Sequence, residues 1–237
     1  MDSLEITRLQ RPRSRQVRLL TDGIFIKVSG VTTEDDALFS IGLGASAIGF
    51  DFGPTPRQIS VNAAHDIVRR LPVGAISVGV FRNEMPQRIV EIANTLGLSA
   101  VQIDGTIAKE ELTYVSERVN TVLRSLPSTA NHDLVAALSG VDYLVVPESD
   151  DHYSLMDCLE LFGDREVRTP MIASGGLTPS NVVDIVQNYP VWGVDVRAGV
   201  EKSVGEKDPV LLGQFIANAR WAFDNAYVER HHDEWPM

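Results

Sequence analysis

The stretch from Pro170 to Pro209 reads PMIASGGLTPSNVVDIVQNYPVWGVDVRAGVEKSVGEKDP. A short apolar run, 171–173, reads as a buried strand and ends in Ser174-Gly175-Gly176. Thr178 and Pro179 suit the cap and first turn of a helix. Val182, Val183, Ile185 and Val186 then recur at helical spacing. A second apolar run, 191–196, ends in Arg197-Ala198-Gly199. The order is strand, glycine turn, helix, strand, glycine turn. Two such turns at neighbouring strand ends can aim backbone N–H groups at one anion, and a phosphate is the usual occupant. In a barrel of alternating strands and helices, the loops after the seventh and eighth strands are the usual phosphate site. The plainer reading of these glycines is tight turns alone.

Outward from this stretch the same alternation repeats. Apolar runs predict strands at 24–28, 47–52, 76–81, 100–103, 121–126 and 143–146. Helical spacing and end signals predict helices at 33–43, from 60 or 61 to before Pro72, and at 86–96, 109–118, 132–138, 154–162 and 209–223. Thr32 or Thr33, Gly97 and Asp208-Pro209 supply caps. Eight strand–helix units with short connections imply a parallel sheet closed into a single (β/α)8 barrel, with its reactive groups at the C-terminal strand ends. The competing open, doubly wound sheet calls for a first-turn G-x-G-x-x-G; the first turn here is SGVTT. The barrel is expected over 23–224, after an extension at 1–22 and before a polar tail at 225–237.

The bulk numbers fit one large core: 237 residues, 44% of them hydrophobic. A formal net charge of -11 argues against a nucleic-acid partner. A single cysteine, Cys158, excludes an internal disulfide and a cysteine-based zinc site, which fits the cytoplasm. The first twenty residues carry five arginines without a signal-peptide core, and lack acids after Glu5 as a transit peptide does. No apolar run approaches the roughly 20 residues of a membrane span.

Four segments, in order, carry a family resemblance: KVSGVTTEDDALFSIGLGASAIGFDFGPTPRQIS, SVGVFRNEMPQRIVEIANTLGLSAVQIDG, ASGGLTPSNV and GVDVRAGVEKSVGEKDP. With them the chain resembles phosphoribosylanthranilate isomerases of tryptophan biosynthesis over about 26–220. The resemblance implies a (β/α)8 barrel and an Amadori rearrangement, turning an aminoaldose phosphoribosyl compound into an aminoketose. A general acid protonates the ribose ring oxygen as the ring opens, and a general base removes the proton from C2. Neither a metal nor an organic cofactor is needed. The implied partner is a small phosphoribosyl substrate; oligomeric state is left open.

Carried over residue by residue, Gly175 and Gly176 match one phosphate turn and Gly199 the other. Arg197 and Ala198 replace the family's paired serines there, and Arg197 can add a charge-assisted contact. Arg57 stands at the position of the arginine that holds the anthranilate carboxylate, and Asp195 is retained before the last turn. The chemical pair departs. The family's basic cysteine, in a Lys-(Ile or Val)-Cys-Gly motif, is Ser29; its acidic aspartate at the end of the sixth strand falls on Pro147; the histidine of its QLHG motif is Asp104. A cysteine titrating near about 8.5 holds a usable thiolate fraction at neutral pH, which a serine does not. In place of a glycine-rich loop stands ESDDHYSLMD.

Ser29, Asp51 and Asp104 are therefore the catalytic candidates. Asp51 stands where the family has an apolar residue, and both aspartates lie at or near strand ends facing the mouth. The plainer reading ties each carboxylate to backbone N–H groups or to Lys27. His152 and Glu148 are lesser candidates, and His231 and His232 read as a solvated tail. The alternatives are an inactive paralogue that binds a phosphoribosyl ligand, and an isomerase redirected to a related phosphoribosyl amine.

Overall fold

Eight strands pair only with their sequence neighbours, and the last returns to the first. A computed structural model describes residues 23–125, 140–147, 154–163 and 169–226. Strands β1 (Phe25–Ser29), β2 (Ala47–Asp51), β3 (Ile76–Phe81), β4 (Ala100–Ile103), β5 (Val122–Ser125), β6 (Tyr143–Val146), β7 (Met171–Ser174) and β8 (Gly193–Val196) form a closed barrel. Every pairing is parallel, and β1 joins both β2 and β8. Between and after them lie α1 (Glu34–Gly42), α2 (Val61–Val68), α3 (Pro86–Leu96), α4 (Lys109–Ser116), α5 (Leu155–Gly163), α6 (Val182–Asn188) and α7 (Pro209–Asp224). This is the (β/α)8 architecture expected from the alternation. The helix expected at 132–138, the extension at 1–22, Glu148, His152, His231 and His232 lie outside the described residues.

Local signals set most boundaries. The Thr33 side chain accepts from Asp36 N at 3.2 Å, and the Ser60 side chain accepts from Ala63 N at 3.2 Å, so both act as N-caps. Gly97 closes α3 in the left-handed region, at φ 62°. One expectation is corrected: α6 starts at Val182, not at Pro179. The Asn181 side chain accepts from Thr178 N at 2.8 Å and donates to Gly176 O at 2.9 Å. These bonds hold 178–181 as a turn and delay the helix. A hairpin of β9 (Glu201–Ser203) and β10 (Glu206–Lys207), after a 3₁₀ turn at Ala198–Val200, is an addition to the expected elements.

The core has two layers. One lies between barrel and helices, and includes Ile26, Val28, Ile48, Phe50 and Phe81 from the strands with Ile89, Ile92 and Phe215 from the helices. The other fills the lumen: Phe25, Ala47, Val78, Ala100, Leu123, Val145 and Ile172 pack as an apolar floor. Trp192 completes it, its ring centroid 4.7 Å from Phe25 and 4.5 Å from Tyr143. Successive strand residues alternate faces, so the positions two and four further along these strands face the lumen above the floor. No described helix is long and apolar enough to cross a membrane.

Asp208 Oδ1 accepts from Val210 N at 2.8 Å and Leu211 N at 3.0 Å, capping the helix that closes the barrel. Asp208→Ala is expected to cost about 1 kcal/mol. Thermal unfolding should then fall by roughly 2–4 °C for a domain of this size, measured by circular dichroism against the unaltered protein.

Candidate active site

Directly above the floor, Lys27 and Asp195 are lumen-facing register partners on β1 and β8. Lys27 is wholly buried, and its Nζ lies 2.9 Å from Asp195 Oδ1. Ser29 Oγ donates to the same Oδ1 at 2.6 Å and accepts from Lys27 Nζ at 2.5 Å. Ser174 Oγ donates to Asp195 Oδ2 at 3.0 Å. Three strand ends are thus tied to one carboxylate. The plainer reading that joined Lys27 to Asp51 or Asp104 is corrected: Lys27 bonds Asp195. Ser29 has its proton committed to that carboxylate.

Asp51 ends β2 on the lumen side and is 1% exposed. Its Oδ2 accepts from Thr55 Oγ1 at 3.0 Å and lies 3.7 Å from Arg197 Nη1. Its Oδ1 has no hydrogen-bond partner among the described residues. Asp104 follows β4, where its Oδ1 accepts from Gln102 Nε2 at 2.7 Å and its Oδ2 lies 3.6 Å from Arg82 Nη2. Burial pushes the Asp104 carboxyl above its ordinary value, against the opposing pull of Gln102, Lys27 and Arg82. Gln102 Oε1, also buried, has no partner among the described residues. Arg124 Nη1 donates to Ile103 O at 2.7 Å and steadies this strand end.

Arg57 projects from the loop after β2. Its Nε and Nη2 fork Glu201 at 2.8 and 2.6 Å, leaving Nη1 without a hydrogen bond among the described residues. Lys207 Nζ donates to Glu201 at 2.9 Å, to Ser29 O at 2.7 Å and to Arg197 O at 3.2 Å. Burial raises Glu201, but hydrogen bonds from Arg57 and Lys207 outweigh it and hold the carboxyl below its ordinary value. Burial lowers the Lys207 ammonium against the pull of Glu201. The hairpin therefore clips the mouth loops to β1.

The two glycine bends meet. Gly175 and Gly176 have φ of 90° and 60°, which only glycine adopts readily. A Cβ on Gly199 would fall 1.9 Å from Leu177 O, so this close approach also requires glycine. Arg197, Ala198 and Gly199 thus abut the turn that Gly175 and Gly176 form. Pro147 follows β6 and has no proton to donate. Sequence reasoning singled out Ser29, Asp51, Asp104, Arg57 and both bends, but missed Gln102, Ser174, Glu201 and Lys207 as partners. Period-2 spacing from Asp104 would have flagged Gln102; the rest depend on contacts between distant strands.

A family model described as N-(5'phosphoribosyl)anthranilate (PRA) isomerase matches residues 26–218. An N-(5'-phosphoribosyl)anthranilate isomerase of Thermotoga petrophila is 34% identical over 201 residues, spanning 82% of this chain and 98% of its own. A phosphoribosyl anthranilate isomerase solved with reduced 1-(o-carboxyphenylamino)-1-deoxyribulose 5-phosphate superposes with a TM-score of 0.73 at 32% identity, over 84% of this chain and 99% of that one. TrpF of Jonesia denitrificans superposes with a TM-score of 0.75 at 27% identity, over 84% of this chain and 98% of its own.

The raised proton affinity of Asp104 makes it a cost to the fold at neutral pH. Below its unfolded value, Asp104 is protonated in both states and the cost vanishes. As pH rises through the folded value, the cost reaches its full size. Asp104→Asn, which keeps an acceptor for Gln102, should therefore raise the urea midpoint at pH 7 to 8, and the gain should shrink to nothing near pH 3.

Proposed function

The chain belongs to the N-(5'-phosphoribosyl)anthranilate isomerase family, and on that premise we propose an aminoaldose–aminoketose isomerase whose proton transfers have moved to Asp51 and Asp104. Its reaction is the Amadori rearrangement of a small phosphoribosyl substrate to an aminoketose, in tryptophan biosynthesis. The observation that carries the assignment is Asp51 Oδ1: a buried, lumen-facing carboxylate oxygen with no partner among the described residues. It lies one strand from Ser29, where the resemblance puts the family's base. An unshared carboxylate oxygen is a competent acceptor for a carbon-bound proton. Asp104, on the far side of β3, holds its proton more tightly than a solvated aspartate, as a general acid must.

In this scheme Asp104 gives its proton to the ribose ring oxygen. The C1–O bond breaks, and the nitrogen lone pair forms the C1=N bond of an iminium ion. Asp51 then takes the C2 proton, the C–H electron pair becomes the C1=C2 bond of an enolamine, and the C1=N pair returns to nitrogen. Delivery of that proton to C1, with return of the C2 hydroxyl proton to Asp104, yields the aminoketose and restores both carboxyl groups. Lys27, Ser29 and Asp195 hold the pocket wall between base and phosphate. The bends at Gly175-Gly176 and Arg197-Ala198-Gly199 cradle the phosphate through main-chain amides, with Arg197 adding charge. Arg57 offers Nη1 to the substrate carboxylate, its other edge being fixed by Glu201. A cytoplasmic setting fits the single cysteine.

Steady-state turnover of N-(5'-phosphoribosyl)anthranilate tests the scheme. Asp51→Asn and Asp104→Asn should each lower kcat by about 10² to 10⁴, and near-wild-type rates in either would remove that residue from its role. No turnover by the unaltered chain, with phosphate still bound, would leave a binding barrel instead. Calorimetry with inorganic phosphate tests the cradle separately. Gly199→Val, which drives a side chain into Leu177 O, should weaken binding at least about tenfold, equivalent to roughly 1.4 kcal/mol; unchanged affinity would place the anion elsewhere.

A further inference from the structure

The two buried side-chain atoms without hydrogen-bond partners among the described residues, Asp51 Oδ1 and Gln102 Oε1, occupy one row of the barrel. Asp51 is the register partner of Val80, and Val80 is the register partner of Gln102. All three face the lumen, because Ala47, Val78 and Ala100 on the same strand faces belong to the apolar floor. With strands about 4.8 Å apart, the Asp51 and Gln102 backbones stand roughly 10 Å apart across Val80. Gln102 is 4% exposed. Its orientation is set, because Nε2 donates to Asp104 at 2.7 Å and Oε1 must therefore point the other way. A buried acceptor left unpaired is costly to the fold, so two in one row, one on the proposed base and one beside the proposed acid, call for a common occupant.

We propose that Gln102 is a catalytic residue: its Oε1 accepts the exocyclic N–H of the substrate and stabilises the iminium ion formed on ring opening. The inference rests on the acid and base roles given to Asp104 and Asp51, and deepens them. In the substrate, C1 carries both the ring oxygen and the nitrogen, and C2 is its neighbour. Over Val80, an acid at the ring oxygen, an acceptor at the nitrogen and a base at C2 match Asp104, Gln102 and Asp51 in order. The coupling is chemical as well as spatial. When Asp104 gives up its proton it becomes an anion, and the Gln102 Nε2–H bond to it strengthens. That bond polarises the amide and makes Oε1 a better acceptor as positive charge appears on the nitrogen. The hydrogen bond is thus stronger in the transition state than in the ground state, the condition for raising kcat rather than lowering KM.

The test uses the full chain and N-(5'-phosphoribosyl)anthranilate. Gln102→Met keeps size and removes the Oε1 acceptor together with the Nε2 donor to Asp104. It should lower kcat by about 10² with little change in KM, as loss of one preorganised hydrogen-bond partner does. Gln102→Glu, which keeps an acceptor there but loses the donor, should retain more activity than Gln102→Met. A structural role is separated by trapping. In Asp51→Asn the ring opens but C2 keeps its proton, so borohydride should reduce the bound iminium ion to an open-chain amine. In Asp51→Asn/Gln102→Met the trapped fraction should fall at least tenfold at saturating substrate. Unchanged kcat in Gln102→Met overturns the proposal, and so does an equal trapped fraction in the single and double variants. If Asp51→Asn turns over at the wild-type rate, the base assignment fails instead. Gln102 is then judged on its own kcat, and an unchanged value overturns its role.

Discussion

A buried ion pair between Lys27 and Asp195 stands between the apolar floor of the barrel and its mouth. Charges so deep are costly unless they are paired and hydrogen-bonded. Asp195 meets that condition with donors from Lys27, Ser29 and Ser174. Those residues come from β1, β7 and β8, the strands at the seam where the barrel closes. A slip of one residue there would turn Lys27 into the helix layer and leave Asp195 charged and alone. The ion pair therefore fixes the register in which all eight strand ends arrive at the mouth. It also keeps the Ser29 proton occupied.

Ser29 is held in this way and a proline follows β6, so the proposed scheme looks for proton transfer to groups on other strands. The mouth of a (β/α)8 barrel gathers eight strand ends around one cavity, so a reactive group can move from strand to strand without altering the fold. In the scheme proposed for this chain, the base stands on β2, beside β1, and the acid on β4. Both new carboxylates face inward by strand alternation, and each lies beside an unpaired buried acceptor or is itself one. Such atoms are rare in a satisfied interior and gather where function outweighs stability.

The hairpin of β9 and β10 ties the recognition side together. Glu201 joins Arg57, from the loop after β2, to Lys207, which in turn holds the carbonyls of Ser29 and Arg197. A carboxylate flanked by two cations on separate loops fixes the guanidinium plane of Arg57. Its other edge is then presented with little side-chain freedom left to lose, which suits the carboxylate contact proposed for it.

The alternation of apolar runs with helical spacing, punctuated by glycine and proline, was enough to give the barrel, most strand limits and the glycine bends, because those features follow from local backbone preference and period. Residue type and place in the chain also marked Asp51, Asp104 and Arg57 as departures or carry-overs from a family pattern. What the sequence alone left undecided was partnership: that Lys27 serves Asp195, that Glu201 occupies one edge of Arg57, that Gly199 presses on Leu177, and that Asp51 and Gln102 share a row across Val80. Each of these joins residues from different strands or loops, and their meeting depends on the register of a closed sheet. Only closure of the barrel, a long-range constraint that no local stretch encodes, brings them together.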